Sequence, residues 1–228
     1  MVRYTIPVEL YHAVNRGVEK RTIFLDSQDY ARYVHNLYEC NDTARVQNLG
    51  RSLALLNDLG GQSRARHTSR KPLVQLHGWC LMRNHFHLLL SEIEAGGIPL
   101  FLMKVNVGYA KYFNEKYQRT GALLQGKTKQ ILIAQDSHYL HILNYIHLNP
   151  LDYSARDAHW RTRGVPRVRD ALAYLDAYKW SSYRDYCGWE NFPSLLTTDQ
   201  FKDVHYRKNL GSYLQKIDPN DWEGGLYE

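Results

Sequence analysis

What this sequence has little of narrows its class first. Only three cysteines occur in 228 residues, Cys40, Cys80 and Cys187, and they lie far apart. They form neither a disulfide framework nor a CxxC pair for zinc or redox work. No apolar run approaches the roughly 18 residues of a membrane-spanning helix. The first ten residues, MVRYTIPVEL, lack the apolar centre of a secretory signal. The expectation is a reduced, cytoplasmic protein. A GxxxxGK[ST] loop, a GxGxxG turn, a GxSxG elbow and HExxH are all missing, so the common nucleotide-binding, α/β-hydrolase and zincin signatures are excluded. Internal repeats and low-complexity tracts are absent as well.

What is present points to a folded, basic chain. A hydrophobic content of 44% with 13% aromatic residues is too high for general disorder. Lys plus Arg is 29 against 23 Asp plus Glu, a net charge of +6. The excess is focused. Arg45, Arg51, Arg64, Arg66, Arg70 and Lys71 face only Asp58 between positions 45 and 71. Arg156, Arg161, Arg163, Arg167 and Arg169 face only Asp157 between 154 and 169. Basicity gathered into two segments suits a polyanion-facing surface, with two solvated loops as the plainer alternative.

Periodicity gives a mixed element order. Val8 to Asn15 reads as a strand and Ser27 to Cys40 as a helix capped at Asp26 or Ser27. Leu73 to Met82 and His85 to Ser91 read as strands joined by a tight turn at Arg83-Asn84. Leu100 to Tyr117 reads as a helix with Pro99 at its first position and Gly121 closing it. Gln130 to Ala134 reads as a short strand, and Ser137 to Leu148 as a helix stopped by Pro150. Gly60 to Pro72 reads as a loop. The first six elements match the split βαβ pattern, so the fold class expected is α+β: a ferredoxin-like core with an antiparallel sheet and a C-terminal helical, aromatic extension. Residues 1–153 would form the core domain and 154–228 the extension, with Tyr178, Trp180, Tyr183, Tyr186 and Trp189 packed on it.

Two constellations can carry chemistry. In HFHLLL, His85 and His87 point to one face of a strand, and Phe86, Leu88 and Leu90 to the other. Two neighbouring imidazoles can chelate one metal ion, or simply be satisfied by local hydrogen bonds. In DSHYLHILNYIHLNP, stepping about 100° per residue places His138, His141, Tyr145 and Asn149 within about 80°, beside an apolar face of Tyr139, Ile142, Leu143 and Ile146. Tyr145 at the edge of the buried stripe is a nucleophile if activated, or a packing residue. Asn149 offers a carbonyl oxygen to a hard metal, or marks a helix stop. His12, His35, His67, His77, His147, His159 and His205 have no ligand-like spacing.

WCLMRNHFHLL followed about 60 residues later by LNYIHLNP resembles the single-tyrosine HUH transposases, and most closely their REP-associated tyrosine transposase branch. The matching positions are Asn84, His85, His87, Tyr145, Asn149 and Pro150. YHAVNRG, IFLDSQDYARYVHNL and KWSSYRDY are also similar, so the likeness runs from about residue 8 to 190. Arg83 stands where a proline is common, and Lys127 where an arginine is common. The resemblance implies a divalent ion, Mg²⁺ or Mn²⁺, held by His85, His87 and Asn149. It implies attack by Tyr145 on single-stranded DNA beside a hairpin, through a 5′-phosphotyrosine intermediate, in a nucleoid-associated monomer or homodimer. Arg16, Lys127, Lys129 and the basic segments (Arg64, Arg66, Arg70 and Lys71; Arg161, Arg163, Arg167 and Arg169) are the expected DNA contacts. A hairpin-binding protein of the same fold with little transposition activity is one alternative. A metal-dependent hydrolase with a structural Tyr145 is another.

Overall fold

The computed structural model describes residues 9–45, 70–133, 136–198, 201 and 203–217. Four strands, β1 (Leu10–Arg16), β2 (Val74–Met82), β3 (His85–Glu92) and β4 (Lys129–Ile133), pair in the spatial order β2-β3-β1-β4. Every pairing is antiparallel. Helix α1 (Ser27–Glu39) falls between β1 and β2 in the chain, and α2 (Gly97–Lys116) between β3 and β4. This is the ferredoxin-like arrangement that the element order predicts.

Strand alternation divides the core in two. Ala13, Trp79, Leu81, Phe86, Leu88 and Leu90 turn to one face and pack with Tyr33, Leu37, Phe101 and Val105 of α1 and α2. The two helices are tied together at Asp29. Its carboxylate is fully buried, closes the capping box with Asp26, and receives Lys116 Nζ at 2.8 Å and the Tyr112 and Tyr117 hydroxyls. Leu10, Cys80, Met82, Leu89 and Ile133 turn to the other face. There they meet α3 (Asp136–Leu148), a 3-10 turn (Asn149–Tyr153), α4 (Trp160–Arg163), α5 (Val168–Ala177), α6 (Tyr183–Tyr186) and α7 (Tyr206–Leu214).

The segment before α6 seals the outer edge of β2. Leu81 N donates to Trp180 O and Ser182 N to Trp79 O, both at 2.9 Å, so the KWSS stretch satisfies groups that an open edge would leave exposed. Among the described residues no helix is long and apolar enough to cross a membrane.

Several details depart from the sequence reading. Helix α2 starts at Gly97, which puts Pro99 in its third position instead of its first. Its N-terminus is capped from outside: Glu92 accepts from Gly96 N and Ile98 N. Gly97 lies so close to the residue before β2 that a Cβ would sit 2.3 Å from Leu73 O, so no larger side chain fits there. At the other end the helix stops at Lys116, before Gly121, with Gln118 at φ 49°. Helix α3 does end at Leu148, where the sequence placed its stop, and Pro150 falls in the 3-10 turn Asn149–Tyr153 that follows. Tyr145 and Asn149 do not lie at the edge of a buried stripe. They are 2% and 1% exposed, because the C-terminal helices cover the side of α3 that the sheet does not. Of the five aromatic residues expected to pack, Trp189 stays 38% exposed.

Candidate active site

Helix α3 passes over β2 at Gly78, where a Cβ would stand 2.7 Å from Leu143 Cδ1. Tyr145 of the same helix meets the sheet at His12 and His87. Its ring centroid lies 5.6 Å from that of His87, edge-on. His85 and His87 project from β3 to this same face, with centroids 4.9 Å apart. Tyr112, in the C-terminal half of α2, lies across the sheet and donates to Asp29.

The three side chains open into a pocket of about 330 Å³ shared with Arg16, Lys20, Lys127, Lys129 and Arg161, as well as Asn149 and Asp152. Five cations against one carboxylate give its lining a net positive charge. Arg161 organises it. Its guanidinium lies 5.3 Å from the Tyr145 ring centroid, donates from Nη2 to Asn149 Oδ1 at 2.8 Å, and pairs with Asp152. Asn149 Nδ2 in turn donates to Tyr145 O at 2.8 Å. The end of α3 is therefore clamped to α4.

Burial keeps the imidazoles neutral. His12 is pushed down to about 3 by desolvation. His85 falls to about 4 by desolvation and then by the Arg161 and Arg16 charges. His87 lies well below its ordinary value, again by burial first, then by His85, His12 and Arg161. Neutral imidazoles are the form that ligates metals.

The His pair fits an ion. A metal–nitrogen bond of about 2.1 Å sets each ring centroid roughly 3.2 Å from the ion, so centroids up to roughly 6.5 Å apart can share one. His87 Nε2 is buried without a hydrogen-bond partner, as an open ligand position would be. Asn149 fits less well, because Arg161 holds its carbonyl oxygen. Among the described residues no group of three or more His, Cys, Asp and Glu side chains is arranged to hold a metal, so any further ligands must be amide, water or substrate oxygens.

The expected DNA contacts separate into groups. Arg16, Lys127, Lys129 and Arg161 line the pocket. Arg163, Arg167 and Arg169 line a different groove, beside Leu214 and Ile217 of the C-terminal region. Arg70 and Lys71 precede β2 and so sit at the opposite end of the β2–β3 hairpin from His85. Arg70 lies over Tyr38 and donates to the Tyr38 and Asn41 carbonyls. Arg64 and Arg66 lie outside the described residues. His141, on the same helical face as Tyr145, turns instead to Tyr213.

His12, Asn15, Lys20, Gln125 and Asp152 also meet at or behind the site, and no motif in the sequence marks them. His12 Nε2 lies 2.9 Å from His87 Nδ1. Its one sequence signal is alternation: in LYHAV it shares a strand face with Leu10 and Val14, so it had to be a buried polar group. Which residue it meets depends on the β1–β3 register, which no local pattern encodes.

No family model and no curated protein matches the chain. Among solved structures, the chain is similar to a REP-associated tyrosine transposase bound to a REP hairpin, at 13% identity and a TM-score of 0.49, covering 90% of this chain and 94% of that one. The likeness is one of chain course, not of sequence.

Proposed function

We propose that this chain is a divalent-metal-dependent single-stranded DNA endonuclease and strand transferase acting beside DNA hairpins, similar to the REP-associated single-tyrosine HUH transposases. One observation carries the reading: Tyr145 stands 5.6 Å from His87, between the strand His-x-His pair and Arg161, in a pocket lined by five cations.

In this reading the Tyr145 phenol attacks phosphorus of a scissile phosphodiester. The Tyr145 Oη–P bond forms and the P–O3′ bond breaks. The phenol loses its proton, and the departing 3′ oxygen gains one. The products are a 5′-phosphotyrosine and a free 3′-OH, and a later 3′-OH reverses the step without an external energy source. Arg16, Lys20, Lys127, Lys129 and Arg161 bind and orient the strand through its phosphates. His85 and His87 would hold Mg²⁺ or Mn²⁺, which when bound polarises the phosphate as a Lewis acid. A phosphate entering the pocket gives Arg161 a new partner and releases the Asn149 carbonyl.

The test is a denaturing gel. The full chain is incubated with Mn²⁺ and a single-stranded oligonucleotide carrying a hairpin from its own genomic flanks. A band of covalent protein–DNA adduct is expected, and excess EDTA should abolish it. DNA binding with no adduct would leave a hairpin-binding protein. Neither binding nor adduct would favour a hydrolase in which Tyr145 only packs.

A further inference from the structure

His85 and His87 each engage the same ring nitrogen. His85 Nδ1 lies 2.7 Å from Asn84 Oδ1, and Asn84 Nδ2 donates to Lys20 O, which fixes the orientation of the amide. A carbonyl oxygen only accepts, so His85 Nδ1 carries the proton and Nε2 keeps its lone pair. His87 Nδ1 is engaged by His12 Nε2 at 2.9 Å. The two rings are 8° from parallel with centroids 5.1 Å apart. A 2.9 Å bond between rings about 1.1 Å in radius gives roughly that spacing end to end, so the rings meet edge to edge in one plane instead of stacking face to face.

Either ring can donate in this bond. If His12 donates, His87 must carry its proton on Nε2, and that N–H is buried without a partner. If His87 donates, its Nε2 presents a lone pair, matching His85. Both choices leave His12 Nδ1 unpartnered among the described residues, so hydrogen-bond count does not separate them. The electrostatics of the pocket does. Arg161 lines the same pocket as both imidazoles and lies 5.3 Å from the Tyr145 ring that meets His87 edge-on; with Nδ1 taken by His12, Nε2 is the nitrogen left for the pocket, and a cationic pocket favours a lone pair there over an N–H.

We infer that His12 is a positioning residue: its Nε2 accepts from His87 Nδ1–H, fixes that tautomer, and turns the His87 Nε2 lone pair toward a divalent cation shared with His85. The role rests on the metal-dependent reading above. It makes His12 to His87 what Asn84 is to His85, an outer partner that sets tautomer and ring angle. The strand register explains why a β1 residue serves. Val14 is paired with His87 and His12 with Leu89, so His12 lies one diagonal step away on the same face.

The test has two readouts, neither of them cleavage. Long-range ¹H–¹⁵N NMR of imidazole-labelled, metal-free protein should show His87 protonated at Nδ1; finding it protonated at Nε2 overturns the inference. Mn²⁺ is then titrated by electron paramagnetic resonance, with hairpin DNA present, into the wild type, His12→Gln and His12→Leu, each checked for fold by circular dichroism. Gln offers an acceptor oxygen near the position of Nε2 and should stay within a few-fold of wild type. Leu removes the acceptor and should weaken Mn²⁺ binding by about 10–100-fold. Unchanged binding in His12→Leu, with Mn²⁺ bound by the wild type, overturns the role of His12 alone. No Mn²⁺ bound by the wild type overturns the metal reading itself, and this role with it.

Discussion

Arg161 Nη2 donates to Asn149 Oδ1 at 2.8 Å. The contact joins a residue of the second basic segment to the Asn-Pro that follows the tyrosine helix. It gives one cation two places: clamping the end of α3, and lining the cationic pocket beside Tyr145. The two separate by substitution. Arg161→Lys keeps the charge but loses the fork that reaches Asn149 and Asp152 together. It should lower stability by about 1.5–3 kcal/mol in urea unfolding, the scale for hydrogen bonds to charged groups. Its DNA affinity should fall less than that of Arg161→Ala. Equal stability in the wild type and Arg161→Lys would mean that the clamp contributes nothing.

Tyr145→Phe should retain fold and hairpin binding. The ring stays packed against His12 and His87, and losing one buried hydroxyl costs about 1 kcal/mol. Adduct formation should vanish, because phenylalanine has no oxygen to attack phosphorus. Mass spectrometry of the wild-type adduct should place the nucleotide on the peptide containing Tyr145. Finding it on Tyr112 would refute the assignment.

The expected DNA cations should divide by position. Arg16→Gln, Lys127→Gln and Lys129→Gln should each flatten the logarithmic salt dependence of hairpin binding by about one unit. Arg163, Arg167 and Arg169, with their exposed groove, should give smaller changes when neutralised together. Arg70→Gln should leave the slope unchanged and instead lower the melting temperature, since it removes the tether to Tyr38 and Asn41. A slope that falls with Arg70→Gln would show that DNA reaches the far end of the hairpin.

Asp185 supplies a pH signature of the C-terminal region. Burial pushes its carboxyl up to about 6, although Asn191 N and Phe192 N donate to it. The folded value exceeds the unfolded one, so stability is full below about pH 4 and is lost as pH rises through about 6. Asp185→Asn keeps an acceptor for both amides without the charge. Its advantage over the wild type in chemical denaturation should grow from near zero at pH 4 to about 1–3 kcal/mol at pH 7. An advantage that does not change with pH would refute the cause.

The sequence by itself determined the element order, a helix cap at Asp26 or Ser27, and the shared face of His85 and His87. Each of these is a local pattern: hydrophobic period, cap chemistry or strand alternation, set within a few residues. The core of the candidate site was legible for the same reason, because His85, His87, Tyr145 and Asn149 sit in two short motifs. The tertiary structure decided what no short window carries. The burial of Tyr145 follows from C-terminal helices that cover the outer side of α3. The seizure of the Asn149 oxygen by Arg161 follows from α4 folding back across twelve residues. The separation of Arg70 from the pocket follows from the direction of the β2–β3 hairpin. The meeting of His12 with His87, 75 residues apart, follows from strand register alone. A charge run or a lone strand histidine specifies what a residue can do; the pairing of distant elements specifies what it faces.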